Sequence, residues 1–304
     1  MADTAAAHRR ADLSVLMLGV FGGATAGPIM AGTQAPSLAI AFWRNALAAI
    51  ILLPMLLRSR ALLATLERRQ WVSVIGAGML LGVHFSCWVP SVKLTSVAAA
   101  QALVSTQVVW AAVLEHLGGR RAPRMQFVGI GATLLGVLWL TGVDFAFEPS
   151  ALLGDGLALF AAMVGAAYMH TGRAARTVLP TFTYTAILYL AASTTLLVIC
   201  LVRGVSLAGY PAHAWLLIAA VTLLAQFGGH SLYNKAMRSF SATAVSNIVL
   251  LQVPIGAILA WLFLAQVPRI TLLPAAVLLA VGVIIVVLHE HPTRADVQAL
   301  ADER

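Results

Sequence analysis

The stretch Trp88–Ala112, WVPSVKLTSVAAAQALVSTQVVWAA, returns 145 residues later as Tyr233–Ala257, YNKAMRSFSATAVSNIVLLQVPIGA. At that offset Trp88 falls on Tyr233, Lys93 on Arg238, Ser96 on Ser241 and Gln107 on Gln252. Ala99, Val104, Val108 and Ala112 land on Ala244, Val249, Val253 and Ala257. Working outward, an offset of 143 sets Asp12, Gly22 and Ala24 on Asp155, Gly165 and Ala167, and one of 146 sets Gly136 and Val137 on Gly282 and Val283. A drift of a few residues is what unequal loops produce. Matches among Ala, Val and Gly carry little weight singly, but their preserved order marks an internal repeat.

The repeat is written in apolar residues. Of 304 residues, 61% are hydrophobic and 10% charged, against about 25% charged in a soluble domain. At a mean hydropathy of +0.92, a water-soluble fold would have to expose large apolar patches. The apolar runs are roughly 18–22 residues long, the length that crosses a hydrocarbon core of about 30 Å. Spans are expected near 13–31, 37–57, 71–90, 95–115, 126–143, 153–172, 181–202, 213–234, 241–265 and 270–289. The expected fold is an all-α membrane protein of ten transmembrane helices, with five in 1–143, five in 153–289 and a cytoplasmic tail at 290–304.

An odd number of spans per half turns the second copy upside down. Such an inverted repeat relates the halves by a pseudo-twofold axis in the membrane plane, with a solute site near the midplane between them. The net charge of +8 is distributed accordingly. With the N-terminus inside, 15 of the 19 Lys and Arg fall on the inner side, Lys93, Arg203 and Arg269 on the outer side, and Arg44 within a span. The positive-inside rule then places both termini in the cytoplasm. The basicity is topological, and no nucleic acid is expected as a partner. The first span follows His8, Arg9 and Arg10, yet its apolar run outlasts a signal peptide's and the repeat uses it, so it is read as retained. Cys87 and Cys200, on separate spans, read as small core residues.

The segment Leu153–Gly154–Asp155–Gly156–Leu157–Ala158–Leu159–Phe160–Ala161–Ala162, running on to Tyr168 and Arg173, resembles the opening of a repeat in the drug/metabolite transporter superfamily, EamA type. Phe42–Trp43–Arg44–Asn45–Ala46–Leu47–Ala48–Ala49 is similar to that family's second-span signature, and Ser241 through Gln252–Val253–Pro254 to Gly282 to its ninth and tenth spans. Two departures stand out. Val109 occupies the place of a usual proline, and Gly118–Gly119 and Ala265–Gln266 stand where Gly-Glu is usual. The resemblance implies a ten-helix transporter of the bacterial inner membrane.

Polar residues within spans are costly and become the candidates for function. Gln226, His230, Tyr233 and Asn234 are spaced to share one face of an α-helix. His84 and Trp88 share another, and the repeat sets Trp88 opposite Tyr233. Two aromatics with polar tips suit a planar or apolar solute. Gln107, Gln252 and Asn247 offer amides that donate and accept, as a polar organic solute requires. Gln101 is expected on a different face from Gln107. All of these equally suit interhelical adhesion. Arg44 either attracts a carboxylate or snorkels outward to backbone carbonyls, and the resemblance favours a structural or gating role. Pro254 frees a carbonyl and supplies a hinge or a plain kink. Glu115 is expected in a surface ion pair with Arg120, Arg121 or Arg124.

The absences also bear on function. No Asp or Glu lies near the middle of a span, which leaves His84 and His230 as the midspan groups able to carry a proton near neutral pH. No GxxxxGK[ST], HExxH or paired midspan aspartates occur, so no cofactor, ATP hydrolysis or intramembrane catalysis is expected. The expectation is a secondary transporter, by analogy an exporter, of a small organic metabolite such as an amino acid, working by alternating access. A non-transporting membrane sensor or assembly protein is the alternative, with an intramembrane enzyme the last of the readings. Partners are the small-molecule solute and the lipid bilayer. Gly78 and Gly82, and Ala132 and Gly136, mark close helix packing, with a homodimer left open.

Overall fold

In hydrocarbon every backbone N–H and C=O must be satisfied within the chain, and a helix does this segment by segment. The computed structural model describes residues 2–95, 97–119, 123–141, 148–264 and 272–289, and the regular structure among them is entirely helical. Arg120, Arg121, Arg269, Arg294, Arg304 and the tail at 290–304 lie outside the described residues.

The first half runs α1 (Ala2–Ala24), α2 (Ala26–Ala31), α3 (Ser37–Arg58), α4 (Arg60–Ala64), α5 (Arg68–Leu94), α6 (Val97–Ser105), α7 (Gln107–Leu117) and α8 (Arg124–Thr141). The second runs α9 (Pro149–Thr171), α10 (Arg173–Arg176), α11 (Thr181–Val202), α12 (Ala212–Val221), a π-helical segment (Thr222–Ser231), α13 (Leu232–Ala236), α14 (Ala242–Val249), α15 (Gln252–Leu264) and α16 (Leu272–Leu288). Seven of the described helical stretches are long and apolar enough to cross a membrane. The stretches Arg124–Trp139 and Leu273–Leu288 are shorter apolar helices.

The repeat is visible in the elements. α3 and α11 are both 22 residues long, and each follows a proline in extended conformation, Pro36 (φ −58°, ψ 140°) and Pro180 (φ −55°, ψ 145°). Each half also breaks one helix at the corresponding place. In the second half Leu250, Leu251 and Val253 donate to the carbonyls three residues back, and Pro254 has no N–H to offer. In the first half the same tight bonding surrounds Thr106 although Val109 stands where the proline would be. There the hydroxyls compete for carbonyls: Ser105 Oγ donates to Gln101 O and Thr106 Oγ1 to Leu103 O, each at 2.6 Å. Gln107 and Gln252 are the first residues after the two breaks.

The halves interlock. α9 packs on α5, α6 and α7, while α1 packs on the π segment, α13, α14 and α15, and α3 lies on α11 and α8 on α16. The small-residue pairs are used in these contacts. A Cβ on Gly82 would stand 2.9 Å from Ala192 O of α11, and one on Gly136 would stand 2.8 Å from Leu279 N of α16. Burial is inverted relative to a soluble protein. Leu201, Phe263 and Leu273 face outward, while Arg44, Gln226 and Asn247 are fully buried, as expected of a bundle solvated by lipid.

Two charged residues differ from expectation. Arg176, assigned to an inner loop, is buried, donating to Met169 O and to Tyr184 Oη at 3.3 Å. It follows α9 so closely that the packed helix ends enclose it. Glu115, whose expected partners Arg120 and Arg121 lie outside the described residues, has a further role. Its Oε1 accepts from Ala242 N at 3.0 Å and its Oε2 from Thr243 Oγ1 at 2.8 Å, so it caps the N-terminus of α14 from the opposite half.

Candidate functional site

The centre of the interface is built on Arg44. Its position in α3 faces the bundle, and the guanidinium neither snorkels nor bonds backbone carbonyls. Arg44 Nε donates to Gln226 Oε1 at 2.8 Å, and the guanidinium carbon sits 4.5 Å from the centroid of the Phe85 ring. Nη1 points to Met30 Sδ at 4.0 Å. The Gln226 amide works in both directions, because its Nε2 donates to Asn45 Oδ1 at 2.8 Å while Asn45 Nδ2 donates to Ala41 O. One side chain of the second half thus ties two neighbours of the first.

Gln226 reaches them because its helix is not an α-helix. Over Thr222–Ser231 the bonding widens to a π-helix, which redirects side chains and is common at functional sites. The Gln226 carbonyl is held by Tyr189 Oη at 3.1 Å and Ser231 Oγ at 3.3 Å. The expected single face of Gln226, His230, Tyr233 and Asn234 rests on a 3.6-residue period and is corrected accordingly. All four point inward, but Gln226 turns to Arg44 while His230 meets the Phe85 ring at 5.1 Å and Tyr233 at 5.5 Å. The wider turn places the Gly228–Gly229 pair where α1 comes closest, since a Cβ on Gly22 would collide with the Gly228 carbonyl.

Around Phe85 the aromatic groups form a continuous wall. His84 stacks on Trp88 with centroids 6.3 Å apart, and Phe85 lies 6.4 Å from Trp88. His84 Nδ1 lies 2.8 Å from Ala161 O of α9, and because a carbonyl only accepts, Nδ1 carries a proton there. Beside it, Gln107 Nε2 donates to Ser246 Oγ at 3.4 Å and approaches Met169 Sδ at 3.6 Å.

The repeat organises this wall. Gly165 in α9 leaves room for Gln107 and His84: a Cβ there would collide with Gln107 Oε1 and stand 2.9 Å from His84 Nδ1. Gly23 in α1 leaves room for Tyr233 and Gln252 in the same way, with Tyr233 Oη in collision and Gln252 Oε1 at 2.8 Å. Each half offers a glycine to an aromatic and a glutamine of the other.

Several buried polar atoms here have no hydrogen-bond partner among the described residues. They include Arg44 Nη2, Trp88 Nε1, His230 Nδ1, Tyr233 Oη and Asn234 Oδ1, and, on α6 and α14, Gln101 Nε2 and both amide atoms of Asn247. Each such atom costs about 1–3 kcal/mol if left unpaired. Arg44 and Trp88 of the first half and His230 and Tyr233 of the second meet through the Phe85 ring, which brings unpaired groups of both halves to one centre able to solvate a polar ligand. Pro254 belongs to the helix break described above. Asn45, Phe85, Tyr189 and Ser246 were missed by the sequence reading. Asn45, next to Arg44 in the second-span stretch, and Tyr189, polar within an apolar run, were open to the rule that singled out the others.

Comparison with known proteins gives the arrangement its relatives. A model of the EamA-like transporter family matches residues 10–142 and again residues 152–288. One solved crystal structure superposes with a TM-score of 0.76 at 16% identity, covering 92% of this chain and 98% of that one, which shows a shared fold. Among curated proteins none matches the chain in sequence.

Proposed function

Because the chain belongs to the EamA-like transporter family, we propose that it is a secondary carrier of a small polar organic metabolite, in the range of amino acids and related compounds. In this reading it is a non-enzymatic, ten-span protein of the bacterial inner membrane with both termini inside, working by alternating access. Its two halves, 1–143 and 153–289, take opposite orientations. His84, Trp88, Gln107, Gln226, His230, Tyr233, Asn247 and Gln252 form the solute's surroundings, with Arg44 and Pro254 supporting the site and its hinge.

The observation that carries the proposal is the set of unpaired buried polar atoms shared between the halves, Trp88 Nε1 from one and Tyr233 Oη from the other, at matching repeat positions. A purely structural core would pair such groups internally. A centre lined equally by two inverted copies supports two states of similar energy, one open to each side.

The test is counterflow. Liposomes holding purified protein and a high internal concentration of an unlabelled metabolite are diluted into the labelled form. Transient uptake that needs the protein and fades as the gradient collapses supports a carrier. Absence of counterflow across a panel of amino acids, organic acids and nucleobases would remove the reading. Export is tested by loading inverted and right-side-out vesicles separately, where a carrier biased outward gives unequal apparent affinities from the two faces.

A further inference from the structure

Among the described residues the centre holds a cation without an anion. Arg44 is 1% exposed, and its guanidinium meets an amide oxygen, a thioether and a ring face. No Asp or Glu lies within ion-pair distance of it among the described residues. A buried charge with no partner is costly, and proteins ordinarily pair such groups or give them a ligand.

The unpaired atoms linked to Arg44 through the Phe85 ring lean toward donation: Arg44 Nη2 and Trp88 Nε1 only donate, Tyr233 Oη can donate, His230 Nδ1 takes either role, and Asn234 Oδ1, beside Tyr233, accepts. A carboxylate accepts through both oxygens and donates nothing, and guanidinium–carboxylate bonds are among the strongest hydrogen bonds available. A zwitterion adds an ammonium group, which would find no carboxylate here and would sit in the field of Arg44.

We propose that the solute is an organic acid whose carboxylate is not balanced by a cationic group, carried on a flat apolar body, and that Arg44 Nη2 receives the carboxylate. The body lies along the wall of Phe85, His84, Trp88, His230 and Tyr233, whose ring centroids are 5.1–6.4 Å apart in successive pairs. This rests on the carrier reading for transport, narrows its solute from amino acids to acids without an ammonium group and moves Arg44 from support to direct contact, but its charge preference stands or falls by binding alone.

The experiment uses four probes that share one body: 3-phenylpropanoate, phenylalanine, 3-phenylpropanamide and 3-phenylpropylamine. Thermal stabilisation of the purified chain and counterflow in proteoliposomes are measured for each. The carboxylate is expected to act at concentrations about ten- to a hundredfold below the amide, from the strength of a hydrogen bond to a charged group, with phenylalanine between them and the amine weakest. Arg44→Gln is expected to bring the carboxylate down to the level of the amide. If that variant does not fold, the wild-type ranking still decides. A ranking in which the amide, zwitterion or amine equals or exceeds the carboxylate overturns the inference and leaves the carrier reading in place. Carboxylate-selective stabilisation without flux keeps the inference and removes the carrier reading. No binding by any probe, with counterflow of some other solute, overturns the inference alone.

Discussion

Replacing Gln226 with methionine keeps the side chain's length and removes both of its polar ends. The change strands Arg44 Nε and Asn45 Oδ1, each of which is 2.8 Å from its amide partner and fully buried. Interhelical hydrogen bonds in membrane bundles average about 0.6 kcal/mol and reach about 1.7, and a bond to a charged group contributes about 1.5–3 kcal/mol. The Asn45 bond is of the first kind and the Arg44 bond of the second, so Gln226→Met should destabilise the fold by about 2–4 kcal/mol. Most of that loss is the penalty of an uncompensated guanidinium. Arg44→Met removes the charge itself, and in the double variant the Gln226 substitution should then cost only the Asn45 bond, about 0.6 kcal/mol. The coupling energy is therefore expected to be about 1.5–3 kcal/mol. Unfolding free energies of the four proteins, from SDS titration in mixed micelles, measure it. Losses that add within about 0.5 kcal/mol would show that Gln226 does not hold Arg44, and the account of the central cluster would fail.

Three further outcomes follow from contacts between the halves. Gly165→Ala and Gly23→Ala each drive a methyl into a glutamine or tyrosine oxygen and should lower stability by about 1–3 kcal/mol and impair counterflow, while Gly76→Ala, whose Cβ would have only Thr171 at 3.6 Å, should be neutral or slightly stabilising. Glu115→Ala removes the cap on α14 supplied through Ala242 N and Thr243 Oγ1; a loss of about 0.5–2 kcal/mol is expected, with faster hydrogen exchange in the first turn of α14, and unchanged exchange there would refute the cap. Trp43→Phe keeps the ring near Trp215 but loses the bond from Nε1 to Leu207 O at 2.8 Å, so residues 203–211 should exchange faster while the protection of α3 is retained.

The architecture was legible because it is encoded in averages. Hydropathy over about 20 residues identifies a span whatever the order of its residues, and the pairing of Gln107 with Gln252 or Gly22 with Gly165 needs only a chain laid against itself. Inward-facing residues were also legible, since an amide or imidazole in lipid is too costly to be accidental. Detailed facing was less so. The face proposed for Gln226, His230 and Tyr233 assumed an α-helical period, and nothing local in TLLAQFGGHS announces a π segment. That geometry depends on the approach of α1 at Gly22 and Gly23 and on Tyr189 and Ser231 holding the Gln226 carbonyl.

Sequence by itself determined that this chain is a membrane protein built from one repeat used twice, and it named most of the polar groups at the centre. Tertiary structure decided what those groups do to one another. Arg44 and Gln226 are 182 residues apart, and Glu115 reaches α14 across 127. A hydrogen bond depends on positions to within a few tenths of an ångström, and those positions are set by packing between the halves. Periodicity and composition do not contain that information. The unpaired donors around Arg44 therefore became visible only once both halves were assembled.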